Sequence, residues 1–282
     1  VRPDPAAEPA PATPPVPAPP PVPAPAPAAA PHADRAASFG PAAALYHAAR
    51  PSYPDAAVAW CVPAGARDVV DLAAGTGKLT ERLVALGGPG RRVTAVEPSA
   101  GMRAALAAGL PGVDVRDGSA ERTGLPDASA DAVAVAQAWH WFDGPRAAAE
   151  IARVLRPGGV LAVLWNVRDT DSPAGADWLA AYEEIIHRGD PLEPHGGVPA
   201  LGAELVAFGP VEHHVVTWTD AVRPAALRDM AASRSHLLTL PAPEREALLA
   251  EVEDLAATHP ALRGRASVPL PYRTDCYRAV RR

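Results

Sequence analysis

The chain has 282 residues, 35 of them proline, and 26 lysines and arginines stand against 32 acids for a net charge of −6. That length suits one large domain or two small ones, with ample chain for a buried core. The charge balance supplies no basic stripe for a polyanion such as nucleic acid, and no apolar run nears the ~20 residues of a membrane span.

Residues 1–35 form a proline- and alanine-rich arm, with fourteen prolines in the first 31 positions. Proline fixes φ and removes a backbone donor, so the arm reads as disordered and partly polyproline II. It has neither the basic nor the apolar region of a signal peptide, and a cytoplasmic setting is expected. Cys61 and Cys276 make no CxxC pair. They read as two buried or half-buried thiols in a reducing compartment.

From Asp68 strands and helices alternate. "DVVDL" is a strand, and Leu79 to Leu86 a helix stopped by Gly87-Gly88. "RVTAVE" is the next strand, followed by a helix from Ser99 to Ala108 with Ser99 at its cap. "GVDVRDG" is a short strand and "DAVAVAQ" a buried one. A helix spans Pro145 to Leu155, "RPGG" makes a turn, and "VLAVLW" is a fifth strand. Later helices are expected at Ala176–His187, Pro224–Ser233 and Ala242–Thr258, and strands at residues 211–218 and in "YRTDCYRAV". This order predicts a doubly wound, mostly parallel, Rossmann-like α/β sheet, with a late antiparallel edge strand and extra helices.

The loop in "VVDLAAGTGKLT", residues 69 to 80, carries the functional signal. A phosphate loop of the form GxxxxGK[ST] would need glycine at Leu72 and a hydroxyl at Leu79, and both mismatches count against it. A dinucleotide loop would need a third glycine where Thr80 stands. A nucleoside loop needs an acid at the end of each of the first two strands, and Asp71 and Glu97 supply them. A carboxylate at the second strand tip can accept from both ribose hydroxyls.

With these residues the chain resembles the class I S-adenosylmethionine-dependent methyltransferases, well over residues 40–170 and loosely beyond. "VVDLAAGTGKLT" is similar to that family's DxGxGxG loop, with Ala73 where glycine is usual. "DGSAERTGLPDASADAV" and "ARVLRPGGVLAVLWN" resemble two further family stretches. The resemblance implies S-adenosylmethionine as cofactor. Backbone around Ala73, Gly75 and Gly77 would approach its methionine part and ribose. Asp71 would orient the loop or meet the amino group, and Glu97 would bind the ribose. Pro98 and Met102 would line the adenine, and Ser119, Ala120 and Glu121 would edge it. "ALYHAARPSYP", residues 44 to 54, looks like the lid of small-molecule members related to trans-aconitate methyltransferase. Tyr46, Arg50 and Tyr53 would close over the cofactor, and His47 would face solvent. The implied layout is a lid over 36–64, a cofactor-binding core over 66–166, and substrate-covering helices and edge strands over 167–282.

The fourth strand ends in "VAQAWHWFDGP", which puts Gln137 beside the cofactor and Trp139, His140, Trp141 and Phe142 at the acceptor. The Asn/Asp-Pro-Pro-aromatic motif of amine and amide methylation is missing there, which favours a small-molecule acceptor. His140 can take a proton near neutral pH, or it only packs. His213 and His214 neighbour each other on a strand, face opposite ways and cannot together hold a metal. The rival functions are a repurposed or non-catalytic member of the fold and a nicotinamide oxidoreductase.

Overall fold

A computed structural model of the protein describes residues 47–190 and 201–282. The proline-rich arm and Tyr46 lie outside the described residues. Five strands run parallel: β1 (Asp68–Leu72), β2 (Arg92–Val96), β3 (Asp114–Arg116), β4 (Ala130–Ala136) and β5 (Leu155–Arg168). Two later strands, β6 (Glu212–Val222) and β7 (Val268–Val280), extend the sheet, and β7 lies antiparallel to both β5 and β6. The order among the described residues is β3-β2-β1-β4-β5-β7-β6. The expected doubly wound sheet with an antiparallel addition is what forms.

Alternation along the strands decides which helix covers which face. In β4, Val133 and Val135 join a core with Ile151 and Ala147, while Ala132 and Ala134 join one with Leu79, Leu83 and Val58. The helices behind these cores are α1 (Asp55–Cys61) and α2 (Lys78–Ala85) on one face and α4 (Gly144–Val154) on the other. The small residues of β4 thus face α1 and α2, and its branched residues face α4. α3 (Ala100–Gly109) follows β2. A third core joins α5 (Ala176–His187), α6 (Ala226–Ala232), α7 (Ser235–Thr239) and α8 (Ala242–Thr258) to β7 through Tyr182, Leu227, Leu249 and Leu270.

The structure corrects four details. Arg156-Pro-Gly-Gly, expected as a turn, belongs to β5, whose pairing with β4 shifts register between Ala130 and Ala132. Gly158, at φ +80°, absorbs the extra residues as a bulge. β6 and β7 are longer than expected because each completes the other's backbone hydrogen bonds over eleven paired residues. The short helix α7 was not foreseen. His47 does not simply face solvent: its Nδ1 lies 3.1 Å from Thr76 Oγ1 and its Nε2 3.4 Å from Glu81. His213 and His214 do diverge, His213 stacking on Tyr277 and His214 on Trp60. Cys61 and Cys276 are buried free thiols, and no helix among the described residues is long and apolar enough to cross a membrane.

Candidate functional site

The tips of β1, β2, β4 and β5 meet at one edge of the sheet. Three backbone turns there require positive φ: Ala73 (56°), Gly75 (58°) and Gly77 (94°). Ala73 thus holds the left-handed conformation that glycine would adopt without strain. Gly77 is the cap of α2, and a Cβ there would lie 2.9 Å from Leu106 Cγ. Gly77→Ala is therefore expected to cost about 1–2 kcal/mol through backbone strain and displacement of Leu106. Urea denaturation checks it, and an unchanged midpoint would show that the loop tolerates the turn.

Glu97 ties the loop to the second strand. Its Oε2 accepts from Gly75 N–H at 2.9 Å, and its Oε1 from Ser99 N–H at 2.9 Å. It is 7 % exposed. Burial raises its pKa, and the Ser99 and Gly75 amides and Arg103 work against that rise. Arg103 reaches back from α3 to the carbonyls of Glu97 and Pro98 and to Asp117, fixing the strand tip. Ser99 caps α3 loosely, at 3.5 Å from Met102 N.

Asp71 lies beneath the loop, 1 % exposed, and its Oδ2 accepts from the Thr80 hydroxyl at 2.6 Å. Burial pushes its pKa to about 7 despite that bond, with the Glu97 charge adding to the rise. The Asp71–Thr80 bond links the end of β1 to the first turn of α2 and so orients the loop. Thr80 thereby does work that the third glycine of a dinucleotide loop could not.

On the other side of the cleft Gln137 follows β4 with φ 56°, its Nε2 donating to Asn166 O. Its Oε1 is buried and has no partner among the described residues. Asn166 donates to Ser52 O at 2.9 Å and accepts from Thr274 Oγ1 at 2.6 Å, so it fastens the entering segment to β5 and β7. Residues 47–54 pass over the cleft as a strap. His47 holds Thr76, Arg50 donates to Ser233 O at 3.1 Å, and Tyr53 is buried. Beneath the strap lies a cavity of about 60 Å³ lined by Arg50, Tyr53, Asp71, Gly75, Gln137 and Asn166.

The remaining expected site residues are more scattered. Met102 is buried on α3 and Pro98 is exposed at the β2 tip. Residues 119–122 make a tight turn in which Ser119 and Arg122 exchange backbone hydrogen bonds, and Ala120 is buried within it. Glu121 is turned to the Asp143 amide at the cap of α4. Residues 139–141 form a 3-10 turn that rotates Trp139 inward, 5 % exposed and 5.7 Å from Phe142 in the core, so it takes a packing position. His140 stays exposed, 5.0 Å edge-on to Trp165 and 4.2 Å from Trp141. No cluster of three or more potential metal ligands occurs among the described residues.

The sequence reading missed Thr80 as a partner of Asp71, and also Arg103, Asn166 and Thr274. A threonine in place of the third loop glycine was the available signal for the first. The Asn166–Thr274 bond spans 108 residues and carries none.

Comparison with known proteins agrees with this geometry. The family described as methyltransferase domain matches residues 70–163. An uncharacterized methyltransferase of Mycobacterium tuberculosis is 47% identical over 248 residues, covering 88% of this chain and 97% of the relative. An uncharacterized methyltransferase-like protein of Schizosaccharomyces pombe is 33% identical over 239 residues, covering 82% and 91%. A solved candidate type II methyltransferase from Anaeromyxobacter dehalogenans superposes with TM-score 0.59 at 26% identity, covering 82% of this chain and 97% of that one.

Proposed function

The chain belongs to the class I methyltransferase family, and from that premise we propose that it moves a methyl group from S-adenosylmethionine to a small-molecule acceptor. The observation that carries the donor assignment is Glu97. Each of its oxygens takes one backbone amide, and an ionised carboxylate has about four acceptor positions, which leaves two for a pair of ribose hydroxyls. The surroundings fit a nucleoside with an amino-acid tail. A Cβ at Gly75 would meet nothing within 4 Å, so a ligand can approach that backbone, and the orphaned Gln137 Oε1 offers an acceptor to an ammonium. Arg50 and Lys78 line the same cleft and suit a carboxylate.

S-adenosylmethionine supplies an electrophilic methyl on a sulfonium whose leaving thioether is neutral. The protein then has mainly to align and to exclude water. Glu97 holds the sugar, Pro98 and Met102 flank the base, and Ser119 and Ala120 meet its edge. Backbone at Ala73, Gly75 and Gly77 shapes the tail site, and the strap from His47 to Pro54 closes it. Trp141, Phe142 and His140 face the acceptor, whose class we place in the small-molecule branch resembling trans-aconitate methyltransferase. The absence of the Asn/Asp-Pro-Pro-aromatic motif after β4 supports that branch, and the acidic net charge argues against a nucleic-acid partner. The reaction fits a cytoplasmic setting.

A metabolite screen with methyl-labelled cofactor, followed by mass analysis of products, tests the proposal. Cofactor binding without label transfer to any metabolite would make the protein a non-catalytic member. His140 is the candidate base, yet a good leaving group reduces the need for one. His140→Ala is expected to lower kcat less than about tenfold, below the roughly 10²–10⁴-fold that a general acid or base contributes. A loss beyond a hundredfold, with the lower limb of the pH–rate profile abolished, would instead establish His140 as an obligatory base.

A further inference from the structure

A chain of hydrogen bonds runs from the outer strand of the sheet to the strap. On β6 the Trp218 indole Nε1 donates to Thr274 Oγ1 on β7 at 2.8 Å, and Thr274 Oγ1 donates to Asn166 Oδ1 on β5 at 2.6 Å. Asn166 Nδ2 then donates to Ser52 O at 2.9 Å. Both ends of this chain are chemically fixed. An indole N–H can only donate, and a main-chain carbonyl can only accept. Thr274 accepts from Trp218 and gives its single proton to Asn166, so the oxygen of the Asn166 amide has to face Thr274. The amide nitrogen is then left for the strap. The reverse orientation would set two oxygens, Asn166 Oδ1 and Ser52 O, against each other. Asn166 also has a second arm. Its main-chain carbonyl accepts from Gln137 Nε2 at 3.0 Å, which leaves Gln137 Oε1 for the cleft.

Three ties hold the strap. His47 reaches Thr76 and Glu81, but the His47 and Glu81 side chains are 39 % and 37 % exposed, and an ion pair so open to solvent holds little. Arg50 donates to Ser233 O through a long side chain. The tie at Ser52 is made by the main chain itself, to a buried amide backed by a fully buried hydroxyl. Pro51 and Pro54 bracket Ser52 and Tyr53, and the fixed φ of both prolines stiffens this segment. Holding Ser52 thereby holds Tyr53, which lines the cleft.

We propose that Thr274 is a positioning residue for cofactor retention: its hydroxyl orients the Asn166 amide and so holds the strap shut on the cleft. This rests on the methyl-transfer reading of that cleft. Thr274 does not line the cleft and acts through Asn166, which does. Without the hydroxyl, Asn166 Oδ1 is a buried acceptor that has lost its donor. Turning toward the cleft to meet water satisfies it, and that turn takes Nδ2 off Ser52 O. The strap then lifts more often, and a bound nucleoside leaves faster.

Two measurements on the full chain test this. Ala49 is a buried residue of the strap, packed in the third core, so Ala49→Cys reports lifting through its rate of reaction with an aromatic disulfide reagent. The two native thiols are fully buried and give a slow background. In the chain without ligand, adding Thr274→Val is expected to speed that labelling at least fivefold, and adding Thr274→Ser, which keeps the hydroxyl, less than twofold. Stopped-flow release of S-adenosylhomocysteine is expected to quicken at least fivefold in Thr274→Val and less than twofold in Thr274→Ser. Asn166→Ala removes the tie directly and is expected to label as fast as Thr274→Val. It decides the matter if the valine variant does not fold. Labelling or release unchanged in Thr274→Val, labelling unchanged in Asn166→Ala, or a serine variant as open as the valine one overturns the proposal. A lowered urea midpoint with both rates unchanged would make Thr274 a purely structural residue. A wild-type chain that takes no S-adenosylhomocysteine sinks the transfer reading, while the labelling rates still decide whether Thr274 holds the strap.

Discussion

Glu97→Ala is expected to weaken S-adenosylhomocysteine binding by about 30- to 150-fold, equivalent to roughly 2–3 kcal/mol. Two losses combine. The ligand loses a charged acceptor for two hydroxyls, each bond to a charged group contributing more than a neutral one. The loop also loses its tie, because the amides of Gly75 and Ser99 are left without the carboxylate that receives them. The two can be separated. Glu97→Gln keeps one acceptor oxygen and replaces the other with a donor, so the loop is half retained while the double acceptance by the sugar is lost. Its affinity should fall nearly as far as that of Glu97→Ala, and its urea midpoint should fall less. Calorimetry on the two variants reads the first quantity and denaturation the second. Affinity unchanged in both would remove Glu97 from the ligand and leave it a purely structural clasp.

The sequence made the cleft legible because its signals are local. An apolar run that ends in an acid, a glycine-rich turn and a second such run place Asp71 and Glu97 at neighbouring strand tips once the strands are parallel. What could not be read depends on register and on long-range closure. Arg168 meets Tyr272, and Asn166 meets Thr274, only because β7 enters antiparallel against β5 in one particular register. The helices α5, α6 and α8 were recognisable, but their common core with β7 needed the sheet first. Trp139 and His140 show a smaller limit. Both were foreseen at the acceptor, and a 3-10 turn, which no apolar period announces, sends one inward and leaves the other exposed. His47 was read by residue type alone and is held by a hydroxyl 29 positions away.

Asp71→Asn is expected to remove a pH dependence of stability worth about 2–3 kcal/mol between pH 5 and pH 8. The Asp71 carboxyl titrates at about 7 in the folded chain, chiefly because it is buried, and at about 3.9 when unfolded. Between those values the folded state holds a proton that the unfolded state has released. Stability from this group is therefore fully present below the unfolded pKa and falls as pH rises through the folded one, by about 1.4 kcal/mol per pH unit. His187 acts the other way. Its folded pKa of about 4 lies below the unfolded value, so its contribution grows as pH rises from about 4 to 6.5. It is common to wild type and variant, as is Glu97, whose raised pKa acts with the same sign as that of Asp71. The difference between the two urea curves at pH 5 and pH 8 thus reads Asp71 together with its coupling to Glu97. The introduced carboxamide can still accept from Thr80, and any fixed cost of its amino group shifts both pH values equally. Parallel curves for the two proteins would mean that Asp71 is ionised across the range. Repeating the wild-type measurement with bound S-adenosylhomocysteine distinguishes the two roles foreseen for this residue. If Asp71 meets the ligand's ammonium through water, the positive charge lowers its pKa and the slope between pH 5 and pH 8 shrinks. If Asp71 only orients the loop through Thr80, the ligand adds a constant stabilisation and the slope stays as it was.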